Sequence, residues 1–253
     1  MSTIRTIPLV DDAVLLTLAR PPANAIDEHL LIDLHATLVS LRTDDSVRAV
    51  VITGSGAFFS AGFDFSAPRR DDEIALDLYR RYRDCHLALL TMPKPTIAWI
   101  NGHAIAGGFV IALACDHRIA AGGDYRIGMN EVAVGASFPR TAMEIVRLRL
   151  THAQASELVL GAQLFPSSKA VALGLAHEIV ARESIETHVR ALAGRLAAFP
   201  CDAYARTKQA LVADAERRIL AETDSEAVAT MSVWISDESR AARRRQREKL
   251  NVR

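Results

Sequence analysis

The chain has 253 residues, half of them apolar, with 30 basic and 30 acidic side chains and a formal net charge of zero. That length and apolar content can bury a sizeable core as one domain with a small helical appendage, and the balanced charge points away from nucleic acid, an anionic membrane or a polyanionic substrate. Three cysteines without a CxxC pair, no apolar run of membrane-spanning length and no charged-then-apolar leader fit a reduced, cytoplasmic protein with no membrane partner.

In chain order, Ile7 to Val10 and Val14 to Leu18 are strand-like and joined by a turn at Asp11-Asp12. Arg20-Pro21-Pro22-Ala23-Asn24 is a loop, because the two prolines exclude helix. Asp27 caps a helix whose Leu30, Leu31, Leu34, Leu38 and Leu41 share one face. Arg48 to Gly54 reads as a buried strand and leads into Phe58-Phe-Ser-Ala-Gly-Phe-Asp-Phe65. Arg69 to Leu90 opens with charges, including an acidic first turn at Asp71, Asp72 and Glu73, and continues as a helix that stops before Met92-Pro93-Lys94-Pro95.

Thr96 to Ile100 is a second buried strand, and Asn101-Gly102 marks a turn. Ala106-Gly107-Gly108 follows, and the run from Phe109 to Cys115 is apolar nearly all round, the pattern of a buried helix with a glycine-rich first turn. Such a helix start presents N–H groups without partners and a positive partial charge. Glycines there admit a ligand to the backbone, so the natural guest is an anion or a carbonyl oxygen that becomes one. His117 to Ala121 is a strand, Gly122-Gly123-Asp124 a turn, and Tyr125-Arg-Ile-Gly-Met129 runs into Asn130-Glu131. Helices are expected over Thr141 to Leu150 and His152 to Leu160, the second capped by Gly161. A short helix from Pro166-Ser167-Ser168 closes at Gly174, and His177 to Val180 is a further strand. From Glu183 the chain is helical with breaks near Pro200 and Thr223. Strands and helices alternate only as far as residue 180, which predicts an α/β core, residues 1–195, and a helical tail, residues 196–253.

Several chemistries find no support. There is no HExxH and no cysteine pair for a metal, and Ser60 lies outside any G-x-S-x-G elbow. Gly54-Ser55-Gly56 lacks the third glycine of a dinucleotide fingerprint. His103 precedes the buried helix and reads as a hydrogen-bonded structural residue. The basic run in the tail, Arg240, Arg243, Arg244, Arg245, Arg247 and Lys249, reads as a solvated helix face.

Ala61-Gly62-Phe63-Asp64 after one strand, with Asn101-Gly-His-Ala-Ile-Ala-Gly-Gly108 after the next, resembles the crotonase (enoyl-CoA hydratase/isomerase) superfamily. The resemblance runs from about Val14 to the last helix. It implies an α/β fold, a ββα spiral superhelix with a C-terminal α-helical trimerisation region, assembled as a homotrimer or a dimer of trimers. It also implies an acyl-CoA thioester substrate and no separate cofactor, coenzyme A being part of the substrate. By the same resemblance the N–H groups of Phe63 and Gly107 form the oxyanion hole, and Asp64 holds the first loop. Ala61, Gly62, Phe65, Gly108 and Val110 are expected to line the substrate, the loop carrying Ala23 and Ala25 to lie along coenzyme A, and Ser66-Ala67-Pro68 to form a lid over the acyl chain.

One position departs from the hydratase pattern. Hydratases use two glutamates to position a water; here Val110 stands at the first site and Glu131 at the second. Valine carries no proton, so the layout resembles the Δ3,Δ2-enoyl-CoA isomerases, whose motifs are echoed in Ala106-Gly-Gly, Tyr125-Arg-Ile-Gly-Met-Asn-Glu131 and Leu164-Phe-Pro166. The expectation is a shift of the double bond of a 3-enoyl-CoA to the trans-2-enoyl ester with Glu131 as acid and base. The alternatives are a hydratase or another crotonase-type lyase that finds a second acid near Asp71 to Glu73, and a non-catalytic CoA-ester or RNA-binding relative.

Overall fold

The computed structural model describes residues 2–10, 12–64 and 72–251. The expected lid at Ser66 to Pro68, the substrate residue Phe65, and Arg69 to Asp71 lie outside the described residues, as does Asp11 of the first turn.

Strands β1 (Ile4–Val10) and β2 (Ala13–Leu18) form an antiparallel hairpin. Four parallel strands extend its sheet: β3 (Ala49–Gly54), β5 (Thr96–Ile100), β7 (His117–Ala121) and β10 (Glu178–Val180), in the order β1-β2-β3-β5-β7-β10. A second, four-stranded sheet has the order β4-β6-β8-β9, with β4 (Phe58–Ser60), β6 (His103–Ile105), β8 (Arg126–Gly128) and β9 (Leu164–Pro166). Successive turns of the chain each leave one strand in each sheet: β3 then β4, β5 then β6, β7 then β8, and finally β9 then β10. This is a ββ spiral, and it explains why the sequence keeps alternating strand and helix through residue 180.

The central strands of the six-stranded sheet are buried on both faces, as parallel strands require, while the edge strands β1 and β10 are largely exposed. Side chains alternate along a strand, so Val50 and Ile52 join the main core with Leu16, Leu18 and Ile100, while Ala49 and Val51 face a second cluster with Leu15, Ile97 and Ile119. That second cluster is closed by Val189, Leu192 and Leu196 of α6 (Ile185–Ala197). On the main side lies α1 (Glu28–Thr43), capped by Asp27, with Leu30, Leu31, Leu34, Leu38 and Leu41 all buried. It packs on α2 (Asp72–Leu90). The helix α3 (Gly107–Ala114) is buried at every residue.

The tail continues with α7 (Cys201–Leu220), α8 (Asp224–Ile235) and α9 (Asp237–Asn251). Lys208 of α7 reaches inward to Asp116 Oδ2 at 2.7 Å, where Thr96 N and Tyr204 Oη each donate at 2.9 Å. Burial alone would raise the Asp116 carboxyl; the Lys208 ammonium overcomes this and holds it below its ordinary value. The short helix expected at Pro166 is a single 3-10 turn, Ser167–Lys169, with a left-handed Gly174 ending the segment at φ 71°. A further break falls at Ser236 between α8 and α9, where the Ser236 hydroxyl accepts from Ser239 N at 3.2 Å and caps the second helix. Among the described residues no helix is long and apolar enough to cross a membrane.

Candidate active site

The pieces of the site meet because of strand register. In the four-stranded sheet β4, β6 and β8 run parallel, with Ser60 beside Ala104 and Ile105 beside Gly128. The segments leaving these strands therefore emerge at the same edge: Ala61 to Asp64 after β4, Ala106 to Gly108 after β6, and Met129 to Glu131 after β8. Carboxyl ends of adjacent parallel strands are where open α/β folds bind ligands.

The start of α3 is shaped by three close approaches. Ala106 has φ 54° and ψ −136°, a sparsely populated conformation for a residue with a Cβ. It is held by its N–H on Gly128 O at 2.8 Å, while its own carbonyl accepts from Phe109 N at 2.8 Å and Val110 N at 3.2 Å. Gly108 has no room for a side chain, since a Cβ there would stand 2.4 Å from Ser60 O. Gly62, at φ 79°, would place a Cβ 2.8 Å from Ala106 Cβ and 3.1 Å from Gly107 N, so the two loops touch through glycine. Gly107 is the first residue of the helix, where N–H groups have no intrahelical acceptor. The opposite end of α3 is occupied by a cation: Arg149 Nε donates to Leu113 O at 3.0 Å and its Nη2 to Ala114 O at 3.3 Å. Arg149 lies at the end of α4 (Arg140–Arg149). A cation at the C-terminus complements the helix dipole and leaves the N-terminal end to the site.

The Phe63 loop is braced from the other side. Ile26 N donates to Gly62 O at 2.7 Å, Asp64 N to Ile26 O at 2.9 Å, and Ala61 N to Ala23 O at 3.0 Å. Arg20 grips the same segment, reaching Asp64 Oδ2 at 2.6 Å, Asp27 Oδ2 at 2.7 Å and Ala25 O at 3.2 Å. Asp64 thus acts on the loop through Arg20, and the loop carrying Ala23 and Ala25 runs beside Ala61 to Asp64. Asn24 is fully buried at φ 49°, a conformation asparagine tolerates. Its Nδ2 donates to Ser55 O, Phe58 O and Phe59 O at 3.0, 2.8 and 3.3 Å. The sequence places Asn24 in a loop without assigning it a role, although an asparagine two residues after a double proline is a signal for such a turn.

Glu131 precedes a 3-10 turn, Val132–Val134, closed by Gly135 at φ 75°; Ala136 N donates to Glu131 O at 2.8 Å. The residue as a whole is half-buried, yet its Oε2 is sealed from solvent and has no hydrogen-bond partner among the described residues. Loss of hydration pushes the carboxyl up to about 8. Tyr82 of α2 stands close by: burial, and after it the charge of Glu131, raises its phenol well above the ordinary value, so it stays neutral. The Tyr82 ring lies 5.0 Å from that of Phe63, and both rings would touch a Cβ on Gly107 at 3.6 Å. Val110 is fully buried one turn into α3. His103 accepts from Arg126 N at 3.1 Å, as a structural residue does.

One wall was not foreseen. Trp234 of α8 packs at a tilt against Phe63, ring centres 5.2 Å apart, and its Nε1 donates to Ser137 O at 2.6 Å. Tyr79 packs behind it at 6.4 Å and donates its hydroxyl to Glu222 Oε1 at 2.7 Å. The tail helices, expected from the resemblance at contacts between subunits, have α8 folded onto the site of their own chain.

Comparison with known proteins adds the following. The sequence profile of the enoyl-CoA hydratase/isomerase family matches residues 11–253. A probable enoyl-CoA hydratase of Mycobacterium tuberculosis is 32% identical over 195 residues, spanning 77% of this chain and 74% of that protein. A solved Mycobacterium tuberculosis protein, described in one structure as an enoyl-CoA isomerase and in another as a probable enoyl-CoA hydratase, is 32% identical in the first, with a TM-score of 0.81 over 90% of this chain and 98% of that one. The human mitochondrial Δ3-Δ2-enoyl-CoA isomerase superposes with a TM-score of 0.92 over 98% of both chains; at 24% identity this likeness bears on the fold.

Proposed function

The chain belongs to the enoyl-CoA hydratase/isomerase family, and on that premise we propose that it moves the double bond of a 3-enoyl-CoA to the conjugated trans-2 position with Glu131 as the only acid and base. The observation that carries this reading is the contrast between two positions of one site. At Glu131 there is a carboxyl pushed up to about 8, with an oxygen that has no hydrogen-bond partner among the described residues, and at Val110 a fully buried hydrocarbon. Hydration needs a second proton-carrying group to orient and split water; a 1,3-proton shift needs one base and a dry pocket.

The steps balance with the residues of this chain. Glu131 as carboxylate takes the proton from C2, and the electron pair spreads over C2, C3, C4 and the thioester carbonyl. The negative oxygen lies between the N–H groups of Phe63 and Gly107; a single donor of this kind is worth roughly 3 kcal/mol in the transition state. The same carboxyl returns the proton at C4, leaving the double bond between C2 and C3. Gly62 and Gly108 bring the two donors together, and Asp64, through Arg20, fixes the first. The loop with Ala23 and Ala25 lies along the coenzyme A moiety, and Ala61 and Val110 line the acyl side.

The test is product analysis. Purified protein is given 3-enoyl-CoA and, separately, 2-enoyl-CoA, and products are resolved by chromatography and mass. Conversion of the first without mass change, lost in Glu131→Gln while CoA-ester binding persists, is the expected result. Gain of one water by the second substrate would instead establish a hydratase, the reading favoured by the name of the M. tuberculosis relative, and would overturn the role given to Val110. We further propose assembly into a homotrimer or a dimer of trimers, a reading supported by exposed Leu160, Leu211 and Leu220, large apolar side chains that a partner surface would cover.

A further inference from the structure

We infer that Trp234 is a positioning residue that locks the Phe63 loop and the Glu131 turn to each other, so that α8 is a working part of its own chain's active site. The inference rests on the proposed role of Glu131. Its basis is a single side chain that touches both halves of the site. The indole packs against the Phe63 ring, centres 5.2 Å apart and planes inclined by 57°. The indole N–H is bonded at 2.6 Å to the carbonyl of Ser137, on the segment that leaves the Glu131 turn. That segment is fastened to the tail twice more, by Ser137 Oγ donating to Thr230 O at 2.7 Å and by Ser239 Oγ donating to Gly135 O. The carbonyl of Trp234 itself accepts from Arg243 Nη2 at 2.6 Å. Phe63 and Gly135 lie in loops that follow different strands, β4 and β8, and no hydrogen bond joins these loops directly among the contacts described above. Trp234 spans the gap.

A purely structural role would be holding α8 down, but α8 has other anchors. Asp224 pairs with Arg80 at 2.6 Å, Glu226 with Arg140 at 2.6 Å, and Ala227 and Met231 pack on Tyr79. The helix therefore stays docked when Trp234 is changed, and a loss can be traced to the indole.

The experiment uses the full chain with Trp234→Phe, which keeps a ring against Phe63 and deletes the N–H, and Trp234→Ala, which deletes both. Trp234→Phe should lower kcat roughly five- to tenfold, the effect of one lost hydrogen bond, with KM for the CoA ester unchanged. Trp234→Ala should lower kcat further and move the titration of Glu131 to lower pH, because water then reaches the carboxyl. That titration is also read without turnover, from the pH dependence of the melting temperature relative to the same variant carrying Glu131→Gln. Folded variants with wild-type kcat and an unmoved Glu131 titration would overturn the inference. Full turnover in Glu131→Gln would sink the acid–base reading instead, so the two failures are separable.

Discussion

A carboxyl group in a dry pocket keeps its proton, and Glu131 carries that property into two measurable quantities. Base catalysis needs the ionised form, so kcat/KM should climb with pH and level off above about 8. Stability should run the other way. Between 4.5 and about 8 the native chain holds a proton that the unfolded chain has released, so this group's contribution falls as pH rises through that window. Glu131→Gln removes the penalty and should melt above wild type at alkaline pH, by on the order of a few kcal/mol. The gap should close below pH 4.5; a gap constant with pH would contradict a buried carboxyl. Position 131 was legible in the sequence because a motif surrounds it. A one-base mechanism also predicts a carboxyl raised by burial; what could not be read was the neighbour, since Tyr82 comes from α2. Trp234 and Ser137 lie 97 residues apart, and nothing local to either announces the bond.

Among the elements, α3 depends on its two ends. Gly108→Ala would drive a Cβ to 2.4 Å from Ser60 O, and since neither backbone gives way easily the helix start must shift; both stability and turnover should fall. The far end is secured through Arg149 and the buried pair of Asp116 with Lys208. Lys208→Met strands a buried carboxylate and should cost about 3 kcal/mol in a urea titration. A cost below 1 kcal/mol would mean that Arg149 and Tyr204 suffice. α1 could be read from its leucine spacing, and β3 and β5 from their β-branched runs. β4, β6 and β9 could not: three residues are too few to show a period of two, and their pairing is set by neighbours in space. Yet β4 and β6 are the strands that aim Phe63 and Gly107, so the part of the fold most hidden in the sequence is the part nearest the chemistry. The glycine motifs disclosed it only through family resemblance.

For the molecule as a whole, the spiral accounts for why so few residues specify so much geometry. Each turn repeats the same step, and the three segments that reach the site are successive repeats at one sheet edge. The proposed assembly is tested by sedimentation of the purified chain. A species about three or six times the 27.5 kDa chain is expected, and a monomer at micromolar concentration would refute it. Leu160→Glu, on an exposed apolar position, distinguishes whether that face takes part.

The seating of α8 on its own chain's Phe63 also fixes an order of events on the ribosome. Synthesis proceeds from the N-terminus, and the spiral with Phe63 and Glu131 has left the exit tunnel before Trp234 is polymerised. A nascent chain therefore passes through a stage in which the sheets are complete while the Phe63 ring that Trp234 later covers lies open, an apolar surface of the kind chaperones bind.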